Sequence, residues 1–336
     1  MSGYSAHMSE RRGVPPSGEE RALMVRAARH YYVDDMSKMQ TADALGVSRF
    51  KVARLLEGAR ELGIVTITVD DAGVPVPELA DALAAHLGLS RAVVVEAHGA
   101  QAEVRHEVGA AAAALLGSTL RQGEVLGLAW GRTLTGMSHS MPPLPRVDVV
   151  QLTGALGTDL EASPVEVVRR VALRSGGSAQ PIFAPLVLDD PRTADALRRQ
   201  TDVAGALRMF DHLTTAVVAV GSWDPPNSQL LTALSQEDRQ AMHEAGVRAE
   251  VAAILVSDTG EVVSPEFARR CISIGVDQLR RTPRIVAAAA GADKARAVTA
   301  IARAGLCTEL VTDRALAEAV LSLDGVDPAV AERGTA

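Results

Sequence analysis

The chain has 336 residues, 47% of them hydrophobic and 22% charged, with a net charge of −7 and two cysteines, Cys271 and Cys307. That is enough for two domains with sizeable cores, and it excludes a disordered tail, a disulfide framework and a four-thiolate zinc site. No apolar run approaches the ~18 residues of a membrane span, and no apolar signal segment follows the polar start at Arg11-Arg12, so a reducing cytoplasm is the expected address and the cysteines are expected in the core.

In chain order, residues 1–18 hold Gly, Ser and Pro without periodicity and read as a mobile arm. From Arg21, the pairs Leu23/Met24, Ala27/Ala28 and Tyr31/Tyr32 recur every four residues and predict an amphipathic helix. Two short helices follow, with Ser37 and Ser48 as N-caps and Gly46 at the tight turn between them. Ala42, Leu45, Val47, Val52 and Leu55 fall where these helices would pack on the first. Gly63 is a stop, and Ile64–Val69 alternates like a short strand or a wing. The whole of 19–69 therefore reads as a helix-turn-helix DNA-binding domain, with or without a wing.

Its candidate DNA contacts are Lys38, Gln40, Ser48, Arg49, Phe50, Lys51 and Arg54, because arginine and lysine at the start of a recognition helix reach guanine acceptors or phosphates. An ordinary helical hairpin with a solvated charged face is the alternative. Charge favours the DNA reading: residues 1–65 carry 10 basic and 8 acidic side chains, against 24 and 33 in the remainder. The partner implied is double-stranded operator DNA.

Residues 70–76 read as a linker, 77–325 as one large domain and 326–336 as a tail. The large domain alternates apolar strands (92–95, 125–130, 147–152, 182–187, 216–220, 252–256, 285–290 and 309–311) with helical stretches at 102–116, 164–174, 292–304 and 313–321. Such alternation predicts a Rossmann-like α/β fold, a mostly parallel sheet with ligands beyond the carboxyl ends of its strands. Asp189-Asp190 before Pro191 reads as a capped helix start rather than an acid pair.

The motifs Ala42–Arg49 and Val52–Leu56, followed by Gly127–Leu134, Val149–Gly154, Val220–Ser222, Ile274–Val276, Pro283–Ala287 and Ala290–Ala295, resemble SorC-type sugar-binding transcriptional regulators over residues 20–322. The resemblance implies an effector-binding and oligomerisation domain similar in fold to sugar-phosphate isomerases but working as an allosteric sensor. It also implies a homo-oligomer, a tetramer built as a dimer of dimers, whose DNA affinity changes when a sugar, polyol or sugar phosphate binds. Some members carry a lysine near the third strand that bonds an aldehyde sugar. Thr153 occupies that region here and argues against covalent sensing.

Chemistry selects the candidate effector residues. Gly131-Arg132-Thr133 follows an apolar strand and opens a helix, so backbone N–H groups, a hydroxyl and a guanidinium face an anion. Gly291-Ala292-Asp293-Lys294 has the same setting, and Lys294 is the large domain's only lysine. A cation in a first helical turn opposes the macrodipole, which an anionic ligand offsets. Nothing in the adjoining sequence lowers its pKa, so ligand contact is expected rather than Schiff-base chemistry. Gln151, Thr153 and Gly154 end one strand, Gly221 and Ser222 another. Trp130 offers an apolar wall to a sugar face, with an ordinary core role as the alternative. Glu250 stands where the family tends to show a Gly-Asp-Ile context, as Ala249-Glu250-Val251.

The eight histidines show no metal-ligand spacing, and no nucleophile elbow or Walker loop is present, so no cofactor, metal or catalytic residue is assigned. A sugar-phosphate isomerase with an accessory DNA-binding domain is the enzyme alternative, and an adaptor with a degenerate pocket is a third.

Overall fold

The computed structural model describes residues 17–65, 73–157 and 163–323. The chain divides into two units, Met1–Val69 and Asp70–Ala336. Most of the expected arm, the wing from Thr66 onward, and the tail lie outside the described residues.

The first unit contains helices Gly18–Tyr32, Lys38–Leu45 and Arg49–Glu61. Met24, Ala27 and Ala28 of the first helix bury against Ala42, Val52, Leu55, Leu56 and Ala59. Ser37 makes a reciprocal capping box with Gln40, its hydroxyl accepting from Gln40 N at 3.3 Å while Gln40 Oε1 accepts from Ser37 N at 2.9 Å. Ser48 caps the next helix through Lys51 N. Each cap is worth about 1 kcal/mol. Gly46 sits between them at φ +65°, a left-handed conformation that glycine adopts without penalty.

The second unit has twelve strands among its described residues: β1 (Val74–Pro75), β2 (Arg91–Glu96), β3 (Val125–Leu128), β4 (Asp148–Gln151), β5 (Ala179–Gln180), β6 (Thr215–Ala219), β7 (Gly221–Trp223), β8 (Pro226–Asn227), β9 (Val247–Val251), β10 (Ile254–Ser257), β11 (Arg284–Ala288) and β12 (Glu309–Asp313). The main sheet has order β1-β2-β12-β11-β6-β3-β4-β5. Its pairings are parallel except for β1, which runs antiparallel on β2. Its middle strands are buried on both faces: Ala216, Val217 and Val218 of β6 are buried, as are Ile285, Val286, Ala287 and Ala288 of β11. Helices on both faces cause this pattern.

Three expectations change. Residues 182–187 are not a strand. Pro181 and Pro185 remove backbone donors, leaving only isolated bridges at Pro185 and Val187 beyond the short β5. The end of the expected linker, Val74–Pro75, joins the main sheet as an edge strand. A second, antiparallel sheet of order β10-β9-β7-β8 was not foreseen. Gly221 and Ser222 therefore do not end the strand before them. They begin β7, which pairs with β9 through Gly221↔Glu250 and Ser222↔Ala249.

Candidate functional site

β11, β6 and β3 are adjacent in the main sheet, so the segments leaving their carboxyl ends converge. They deliver Lys294, Val220–Gly221 and Trp130–Arg132 to one pocket, whose wall also includes Thr133, Arg105, Asn227, Ser228 and Glu250.

Gly131 makes the turn from β3 into helix Arg132–His139. Its φ is +142°, and a Cβ there would lie 2.8 Å from Ala219 Cβ, so glycine is required on both counts. Gly131, Arg132 and Thr133 at the helix N-terminus line the pocket, and the first backbone N–H groups of a helix have no intrahelical partner. Arg105 arrives on helix Gln101–Thr119. Gly109 of that helix lets it approach so closely that an added Cβ would stand 2.6 Å from Met137 N and from Thr133 O. Arg105 Nη1 is buried and has no hydrogen-bond partner. Burial, then the charge of Arg132, lowers its pKa.

Lys294 is 7% exposed and donates from Nζ to Val220 O at 2.6 Å. It ends a 3₁₀ turn, Ala292–Lys294, rather than lying inside the first α-helical turn. Contrary to the sequence expectation, its pKa is strongly perturbed. Burial, reinforced by Arg132, lowers it to about 8. Burial also pushes the Glu250 carboxyl up, opposed by hydrogen bonds from Ser228 and Ala253 N and by Lys294. Glu250 Oε1 accepts from Ser228 Oγ at 3.0 Å and Oε2 from Ala253 N at 3.4 Å. Gly221 gives this carboxyl its space, since a Cβ would meet Oε1 at 2.3 Å. The β9–β10 turn places Ala252 and Ala253 at φ +49° and +65°, a costly conformation for alanine that turns the Ala253 N–H toward the carboxylate.

A polar chain runs through two of the lining residues, Arg132 and Asn227. Arg132 Nη2 donates to Asn227 Oδ1 at 2.5 Å, and Asn227 Nδ2 donates to Asp293 Oδ2 at 2.8 Å.

Seven sequence candidates thus meet in the lining: Trp130, Gly131, Arg132, Thr133, Gly221, Glu250 and Lys294. The others are not part of it. Gln151 is buried and holds the chain after β5, donating to Thr153 O at 2.6 Å and accepting from Ile182 N at 3.2 Å. Thr153 is buried beneath, Gly154 donates its N–H to Ile272 O, and Ser222 donates to Pro225 O. Gly291 lies at φ +97° and donates its N–H to Asp313 Oδ2, next to the pocket. Arg105, Asn227 and Ser228 of the lining, and Asp293 bonded to Asn227, are not among the residues the sequence points to. Asp293 was within reach, being part of the quoted glycine–lysine motif, whereas nothing local marks Arg105.

In the first unit, Lys38, Gln40, Ser48, Arg49 and Arg54 are exposed, and Phe50 is 83% exposed. Gln40 Oε1 and Ser48 Oγ are engaged as caps. Lys51 lies 3.6 Å from Glu20, and Lys38 stands over the Tyr31 ring.

Among the described residues no helix is long and apolar enough to cross a membrane, and no group of three or more His, Cys, Asp and Glu side chains could hold a metal. Cys271 and Cys307 are buried, and burial pushes each thiol up to about 12.

Comparison with known proteins adds the following. The model of a putative sugar-binding domain family matches residues 76–322. The transcriptional regulator LsrR of Enterobacter sp. (strain 638) is 28% identical, over 91% of this chain and 94% of that protein. The sorbitol operon regulator of Klebsiella pneumoniae is 26% identical, over 91% of this chain and 99% of that one. The crystal structure of the full-length sorbitol operon regulator SorC from that species superposes with a TM-score of 0.68 at 24% identity, covering 90% of this chain and 99% of the other.

Proposed function

The chain belongs to the SorC-type family of sugar-binding transcriptional regulators, and from that premise we propose that it senses a sugar phosphate in the pocket and answers by changing its grip on operator DNA. It is an effector-controlled regulator and not an enzyme, as its relatives are.

One observation carries the choice of a phosphate over a neutral sugar: Arg105 Nη1 is buried without a partner, beside Arg132 and Lys294. Like charges held together in a half-buried wall repel one another. A dianion placed among them turns that repulsion into attraction. Arginine forks suit phosphate oxygens, and the N–H groups opening helix Arg132–His139 point the same way. Lys294, at about 8, is mainly protonated at neutral pH and serves as the third cation. Glu250 is suited to reading sugar hydroxyls, as donor when protonated and acceptor when ionised. Trp130 supplies an apolar side. Gln151, Thr153, Gly154, Ser222 and Gly291 support the walls in this reading rather than touch the ligand.

The first unit acts as the helix-turn-helix module. Two capped helices joined at a left-handed glycine support this. Helix Arg49–Glu61 offers Ser48, Arg49, Phe50, Lys51 and Arg54 to the major groove, with Lys38 and Gln40 at the flanking phosphates. A tetramer built as a dimer of dimers in the cytoplasm completes the proposal. The exposed Leu173 and Phe183 are consistent with surfaces covered by further copies.

A thermal-shift panel of sugars, polyols and their phosphates tests the ligand class. Saturation at ~100 Kd adds about 2.7 kcal/mol of stability. The reading requires a phosphorylated compound to shift the wild type and not Arg132→Ala. A neutral sugar acting equally on both overturns it.

A further inference from the structure

The pocket that should take a sugar phosphate is nearly closed. Its side chains leave about 30 Å³ between them, room for about two waters, whereas small-ligand pockets measure roughly 300–1,000 Å³. Two of its lining residues belong to the chain Arg132–Asn227–Asp293. Its two ends and its middle belong to different parts of the fold. Arg132 follows β3 and Asp293 follows β11, both in the main sheet, while Asn227 belongs to β8 in the small sheet.

Asn227 sits on the hairpin formed by β7 and β8, with Ser222↔Asn227 and Trp223↔Pro226 paired. That hairpin rests on β9, the strand carrying Glu250. Ser228, the next residue, holds Glu250. One side-chain amide therefore ties the β7–β8 hairpin to the mouth of the main sheet, while β9 and β10 are held by their own burial in the main core through Ala249, Val251, Ile254 and Val256. It does so by giving Arg132 a carbonyl oxygen at 2.5 Å, where a phosphate oxygen would otherwise sit, and by giving Asp293 an N–H.

We propose that Asn227 is an internal competitor of the effector: its amide occupies Arg132 until a phosphate takes that place, and its displacement releases the 221–227 hairpin as the first mechanical step of the response. The proposal rests on the phosphate reading above. Its logic is a two-state equilibrium. The ligand binds only the unlatched state, so the latch lowers apparent affinity by the fraction of molecules that are open. Phosphate is a stronger partner for a guanidinium than a neutral amide is, which lets it win the competition. Asp293 repels an incoming phosphate and is covered by the Asn227 N–H in the latched state, so opening the latch costs two hydrogen bonds together.

The test uses inorganic phosphate and the full chain, titrated by calorimetry in wild type, Asn227→Ala and Arg132→Ala. A latch closed nine-tenths of the time predicts that Asn227→Ala binds phosphate about tenfold more tightly than wild type, and that Arg132→Ala loses binding. Hydrogen exchange gives a readout that needs no variant. In the wild type, saturating phosphate should speed exchange of the 221–227 amides while leaving β11 and β12 protected. Equal or weaker binding by Asn227→Ala, with binding still lost in Arg132→Ala, refutes the latch and keeps the phosphate pocket. Wild-type binding in Arg132→Ala, or no binding by either the wild type or Asn227→Ala, removes the phosphate reading and the latch with it. Should Asn227→Ala fail to fold, unchanged hairpin protection in the phosphate-bound wild type refutes the latch alone.

Discussion

Replacing Gly109 by alanine sets two magnitudes of opposite sign against each other. Gly109 lies inside helix Gln101–Thr119, and alanine in a helix interior is favoured over glycine by about 1 kcal/mol. A Cβ at this position, however, would lie 2.6 Å from both Met137 N and Thr133 O, against 3.4 Å for ordinary contact. The obstructing atoms are backbone, so no side-chain rotation relieves the clash, and the helix must move by about 0.8 Å. Overpacking of this kind costs about 1–3 kcal/mol, and a backbone obstacle puts it at the upper end. The net loss is about 1–2 kcal/mol, or roughly 2–8 °C in Tm for a domain of this size. Trp130 and Trp223, the chain's two tryptophans, both lie in the α/β unit, so their fluorescence follows its unfolding without interference from the helical one. The same movement carries Arg105 away from Arg132 and weakens phosphate binding. A Tm equal to or above the wild type would refute the close helix contact and the account of how Arg105 reaches the pocket.

Three further outcomes are expected. Glu250→Gln should raise Tm at about pH 8 more than at about pH 5. The wild-type carboxyl is pushed up in the folded state, so the native protein holds a proton the unfolded chain has released, and stability falls as pH rises through that window; a uniform effect at both pH values contradicts this. Phosphate affinity should fall as pH rises through about 8, where Lys294 loses its charge, and calorimetry of Lys294→Met should show a weaker but flatter pH profile. An equally steep profile would assign the dependence elsewhere. Arg49→Ala should leave Tm within about 0.5 kcal/mol of wild type while lowering the slope of log affinity for DNA against log salt by about 1, measured by anisotropy. An unchanged slope places Arg49 off the phosphate backbone.

How much of this was legible follows from how locally each feature is encoded. Ser37, Gly46 and Ser48 act within three residues of themselves, so the capped helices and their turn can be read directly. Gly131 and Gly291 each follow a long apolar strand, and parallel topology sends such glycines to the same end of the sheet; hence Arg132 and Lys294 were found together. The perturbed pKa of Lys294 was not legible, because Arg132 lies far away in sequence and burial depends on the whole packing. Arg105 was missed because its placement depends on Gly109 meeting Thr133 and Met137 across two helices, and arginine on an alanine-rich helix looks like a solvated face. The small sheet escaped because β7 and β8 have three and two residues, too short for alternation to show. A polar residue at a strand end suits a ligand contact, which is what the sequence suggests for Gln151, yet its amide serves Ile182 and Thr153. The apolar run 182–187 reads as a strand by its hydrophobicity, yet Pro181 and Pro185 leave it only isolated bridges in the structure.

The central claim is that one pocket in the α/β unit controls DNA binding by the helical unit. The most direct measurement is anisotropy of a duplex selected by the full chain from randomised DNA, with and without the sugar phosphate that raises its Tm, for wild type and Arg132→Ala. The account predicts a change in wild-type DNA affinity of about 5–150-fold, the usual range of allosteric coupling, and no change in the variant. Wild-type DNA affinity that stays constant when the pocket is saturated would contradict it.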